Sequence, residues 1–132
     1  MNFFNFLKQY ADQVGGQYTA YDDLKSIVVV PTGEGRFQTV LLHLQNTKSS
    51  GKQRGTVTSK VCELTSNTNL KELLELNASF DYGKFIVEAD KLKVEATFPI
   101  DGASHDEIKY MIQEVAKIAD EYEMKLTGKD IH

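Results

Sequence analysis

Residues 84–99, KFIVEADKLKVEATFP, alternate apolar and polar side chains at period two. That period belongs to strands with one buried face, so this stretch constrains the fold more than any other. With a two-residue turn at Asp90-Lys91, Ala89 pairs with Leu92, Val87 with Val94 and Phe85 with Ala96 on one side. The other side then joins Glu88 to Lys93, Ile86 to Glu95 and Lys84 to Thr97. One register thus gathers the apolar side chains and sets opposite charges outside, each cross-strand pair contributing about 0.2–1 kcal/mol. Pro99 lacks an N–H and ends the ladder. A hairpin with one apolar face needs further strands and a covering layer.

The rest of the chain supplies both. Phe3, Phe6, Leu7, Tyr10 and Val14 recur at helical spacing and predict a first helix, stopped by Gly15-Gly16. Residues 25–31 are rich in β-branched side chains and read as a strand, Thr32-Gly33-Glu34-Gly35 as a turn, and residues 36–46 as a second strand. In that second strand Val40, Leu42 and Leu44 share one face; Phe37, Leu41 and His43 share the other. A polar, glycine-containing loop at 47–55 leads to a third strand at 56–64, whose lower apolar content suits a sheet edge. Asn67, Thr68 and Asn69 offer caps for a short helix with Leu70, Leu73, Leu74 and Asn77 on one face. At that helix end the Asn77 amide is expected to satisfy leftover backbone groups. Ser104 and Glu107 form a capping box. The last helix carries Ile108, Met111, Ile112, Val115, Ile118, Ala119, Tyr122 and Leu126 as a stripe, a Glu121–Lys125 surface pair, and Gly128 as its stop. The expectation is a single α+β domain over residues 1–132, ordered α-β-β-β-α-β-β-α, an antiparallel sheet with helices packed on it.

Composition narrows the function. At 132 residues the chain can bury a full core. A net charge of −4 argues against nucleic acid as a partner. The longest wholly apolar run, residues 27–31, is far short of the ~20 residues of a membrane span. The opening MNFFNFLKQYADQ lacks the basic, apolar and small-residue regions of a signal peptide. The single Cys62 forms no internal disulfide and fits a reducing compartment, so the expected location is the cytoplasm.

No catalytic constellation stands out. Cys62 has no CxxC partner, and His43, His105 and His132 are isolated, so neither nucleophile, base nor metal set is expected. The Gly33-Glu34-Gly35 turn lacks the third glycine and following helix of a phosphate loop. Asp22-Asp23 and Glu121-Tyr122-Glu123 read as solvated surface. No cofactor is implied. Lys48, Lys52 and Arg54 make the 47–55 loop basic, either as a solvated loop or as a dock for an acidic partner segment. An apolar surplus, in which Phe4 falls off the helical stripe and Phe37 and Leu41 lie on the less buried strand face, reads as core or as a partner surface.

In this order of elements, Leu73-Leu74-Glu75-Leu76-Asn77, Gly83-Lys84-Phe85, residues 92–99 and the helix from Ser104 resemble the type III secretion chaperone fold. Class I secretion chaperones and YbjN-type bacterial proteins share that fold. The resemblance implies a small, acidic, cytoplasmic, non-enzymatic homodimer that holds an extended segment of a partner protein. The alternative is a YbjN-type regulatory or interaction protein without a secretion substrate; a small-ligand binder or enzyme with a dispersed site comes third. The grooves of the family have no fixed motif. The candidate protein-binding residues Phe3, Phe4, Leu7, Phe37 and Leu41 therefore come from the apolar patterns alone.

Overall fold

The computed structural model describes residues 3–127. Gly128 and His132 lie outside the described residues. The chain runs α1 (Phe3–Val14), β1 (Gln17–Ala20), β2 (Lys25–Gly33), β3 (Arg36–Asn46), β4 (Gln53–Glu63), α2 (Leu70–Leu76), a 3-10 turn (Asn77–Ser79), β5 (Lys84–Glu88), β6 (Lys91–Pro99) and α3 (His105–Thr127). The strands form one antiparallel sheet in the order β1-β2-β3-β4-β6-β5.

β1 adds a strand to the expected order. Its sequence, QYTA, is short and mostly exposed, so no hydrophobic alternation marks it. Backbone geometry makes it instead. Gly15, at φ 74°, turns the chain out of α1, and Gly16 passes so close to the Val29 carbonyl that a Cβ would collide with it.

β4 is not an edge strand, since it pairs with β3 on one side and β6 on the other. Its small and hydroxylated residues are there for contact. Gly55 lies directly under the Phe98 ring, with no room for a Cβ, and the Ser59 hydroxyl donates to the Thr39 carbonyl at 2.7 Å.

The β5–β6 hairpin differs from the expected register by two residues. Phe85 pairs with Val94, Val87 with Leu92 and Glu88 with Lys91. The turn is Ala89-Asp90, with φ 51° and 59°. Two positive φ values give the primed turn whose twist matches paired strands, and this outweighs their cost outside glycine. An even shift leaves each side chain on its face. Lys93 therefore still meets Glu88, now diagonally, at 2.6 Å.

Helices α1 and α3 lie on one face of this sheet. That inner face presents Val28, Val30, Val40, Leu42, Val57 and Val94, all buried. Against them α1 packs Phe3, Leu7 and Tyr10, and α3 packs Ile108, Ile112 and Val115. Burying each such side chain is worth about 1.5–3 kcal/mol. The capping box starts α3 as expected: the Glu107 N–H donates to Ser104 Oγ at 3.1 Å, and the Ser104 N–H donates to Glu107 Oε1 at 3.4 Å. Of α2, only Leu73 is buried.

Candidate functional site

Two polar side chains organise the end of α2 and the entry to β5. The Asn77 amide accepts the Phe85 N–H at 2.7 Å and donates to the Phe85 carbonyl at 3.3 Å. Both groups belong to the outer edge of β5, so the amide occupies the edge as another strand would. Glu114, from α3, accepts the N–H groups of Asp81, Tyr82 and Gly83 at 2.9, 2.7 and 2.6 Å. Nothing in its sequence neighbourhood marks Glu114. Asn77 and Glu114 therefore hold the fold together at this point.

Buried charge gathers under the second half of α3. Asp120 is buried and takes both Nε and Nη2 of Arg36, at 3.0–3.2 Å. Glu123 is fully buried, which corrects its expected place on solvated surface. The helical period sets it in line with Ile112, Ala116 and Ala119, whereas Glu121 points out and pairs with Lys125 at 3.1 Å. Leu126, at the far end of the expected stripe, is exposed. Near Glu123 the Cys62 thiol is pushed above its ordinary pKa, first by burial and then by the negative charge of Glu123 and Glu63. It stays protonated at neutral pH, the opposite of a thiolate nucleophile. His43 Nδ1 sits 2.8 Å from the Gln45 amide nitrogen, and His105 stacks on Phe6 at 4.2 Å between ring centroids. Among the described residues, His, Cys, Asp and Glu form no group of three that could hold a metal ion. No helix of the described residues is long and apolar enough to cross a membrane.

Among the described residues, no helix lies on the opposite face of the sheet. Its register brings Ile27, Leu41, Thr58 and Glu95 into one row across the four central strands. Phe37 is 47% exposed and Leu41 37%, while Ile27 is half-buried. Ile27, Thr39, Leu41 and Thr58 line one side of a shallow groove of about 530 Å³, and Lys60, Lys91 and Lys93 line the other.

The nominated binding residues separate accordingly. Phe3 and Leu7 are buried between α1 and the sheet, Phe3 lying 5.7 Å from the Phe98 ring. Phe4 is half-buried against the same core. Only Phe37 and Leu41 lie on an open surface. A second apolar surface was not foreseen. Leu70, Leu74 and Val87 are 43, 65 and 48% exposed around a hollow of about 200 Å³ at the β5 end of the sheet. The leucine spacing in α2 was visible in the sequence, but read as inward-facing.

A six-stranded antiparallel sheet with helices on one side, bracketed by an N-terminal and a C-terminal helix, is an α+β fold of the secretion-chaperone-like kind. Among solved structures the chain is similar to a chain of the heterodimeric ExoU–SpcU complex from the type III secretion system of Pseudomonas aeruginosa. The TM-score is 0.58 at 11% identity, over 96% of this chain and 99% of that one. No protein-family model and no curated relative matches the sequence.

Proposed function

We propose that the protein is a non-catalytic, homodimeric, cytoplasmic protein-binding domain that holds an extended segment of a partner against the bare face of its sheet. The observation that carries this reading is the exposure of Phe37 and Leu41 on a face that no helix of the described residues covers. Exposed apolar side chains gathered on one face recur where another molecule covers them. An extended segment suits such a face, because its own alternating side chains meet a pleated surface. Leu70, Leu74 and Val87 supply a separate apolar patch, suited to the self-complementary contact of a twofold dimer. The secretion-chaperone-like fold agrees with partner binding as the role.

Light scattering after size exclusion should return the mass of two chains, and that of one chain for Leu74→Asp with its melting temperature kept. A wild-type monomer at all concentrations overturns the dimer. Affinity capture should retain a partner that Leu41→Asp loses. Capture that is indifferent to Leu41→Asp overturns the open face as the binding surface.

A further inference from the structure

The bare face is basic although the chain is acidic. The formal net charge is −4, yet the outward rows of the sheet carry Lys25, Arg54, Lys60, Lys84, Lys91 and Lys93 against Glu63, Glu88 and Glu95. Charge is thus sorted by face: carboxylates dominate the rest of the surface, and cations dominate the side without helices.

At the groove the sorting is sharper. Lys60 and Lys93 oppose each other directly on β4 and β6, and Lys91 follows on the same side of β6. Like charges placed directly opposite each other destabilise a sheet. Local carboxylates only partly relieve them, through Lys60–Glu63 at 2.8 Å and Lys93–Glu88 at 2.6 Å. Both acids are more than half exposed, so these pairs are screened and exchange readily. Lys91 stands directly opposite Glu63 and Glu88 in the register, yet among the described residues it forms an ion pair with neither. Across the groove from these ammonium groups stand Ile27 and Leu41.

We infer that the segment held on this face is acidic and amphipathic, an extended protein strand whose alternate apolar side chains rest on Ile27 and Leu41 while its carboxylates take Lys60, Lys91 and Lys93. This deepens the proposed function and rests on its open-face reading. Complementary charge fixes which segment is taken and in which register, and apolar contact supplies the rest. The basic character visible in the 47–55 loop thus reaches the face through Arg54, which lies in β4 and bonds Gln45 at 3.1 Å.

The probes are labelled short peptides: one alternating valine with glutamate, one alternating valine with lysine, and one of glutamate alone, beside single-stranded RNA. Fluorescence anisotropy with the full chain should show the valine–glutamate peptide binding at least about tenfold tighter than the others, about 1.4 kcal/mol. Its affinity should fall as salt is raised. The variant Lys60→Glu/Lys91→Glu/Lys93→Glu should lose that preference and turn to the valine–lysine peptide. Lys91→Glu alone, on the least paired of the three, should weaken binding several-fold and covers the case in which the triple variant does not fold. Equal binding of both valine peptides, unchanged in the variants but lost in Leu41→Asp, overturns the acidic partner and leaves the open-face reading standing. Tightest binding of glutamate alone or of RNA overturns the amphipathic protein strand in favour of plain electrostatics or nucleic acid. Binding of none of the probes overturns the inference, whereas the open-face reading falls only if capture of the native partner ignores Leu41→Asp.

Discussion

Leu41 and Leu42 are neighbours in β3, yet they belong to different environments. Leu42 is fully buried beneath the helices, and Leu41 is 37% exposed on the face without them. The strand's period of two divides the sheet in this way along its whole width. On the inner face, shape decides what is allowed: a Cβ at Gly55 fits only if the buried Phe98 ring gives way. On the open face volume matters little and charge is free to be arranged. The difference teaches that adjacent residues of a single strand can serve stability on one face and, on the face proposed for binding, a partner.

Substitutions can break that division, beginning with the largest effect. Leu42→Ala should cost about 2–5 kcal/mol, since it removes buried methylenes and leaves a cavity. Leu41→Ala should cost less than about 1 kcal/mol. Denaturant midpoints of the two variants check the contrast, and equal losses would mean that both faces are covered in the isolated chain.

Asn77→Ala comes next, at about 1–3 kcal/mol, because it leaves the Phe85 N–H and carbonyl without the amide that pairs them. Hydrogen exchange at Phe85 should speed up in this variant. If stability is unchanged but partner capture is lost, the amide belongs to a binding site instead.

The smallest effect concerns Cys62. Below the ordinary thiol pKa both folded and unfolded chains hold a protonated thiol, and the fold keeps its full stability. As pH rises past that value the unfolded chain ionises first, because burial holds the folded thiol protonated. Stability therefore declines until pH passes the raised folded value. Cys62→Ala should flatten this alkaline decline in denaturant titrations, and native Cys62 should react with a thiol reagent far more slowly than the unfolded chain. An unaltered slope would remove Cys62 as its source.

Legibility in the sequence follows locality. Helix α1, the capping box of α3 and the bounds of β3 were readable because each is specified by residues a few positions apart. The role of Asn77 was readable in kind, since a polar residue at a helix end has few uses, although its partner lies eight residues on. Asp120, Glu123 and Glu114 were not. Their partners come from other elements, and an acidic residue in a helix looks the same whether it meets water, Arg36 or three amide N–H groups.

The candidate site shows the same limit. Phe3, Phe4, Leu7, Phe37 and Leu41 are equally apolar in the sequence, and only the packing of α1 onto the sheet separates the buried Phe3 and Leu7 from the open Phe37 and Leu41. By itself, the sequence determined the alternation of β5 and β6, the apolar stripes of α1 and α3 and the acidic balance, because each is a property of spacing or of summation. Tertiary structure decided the turn at Ala89-Asp90, the central place of β4 and the gathering of Lys60, Lys91 and Lys93 beside Leu41. Those depend on strand neighbours far apart in the chain, and the energy that selects them arises only when the strands meet.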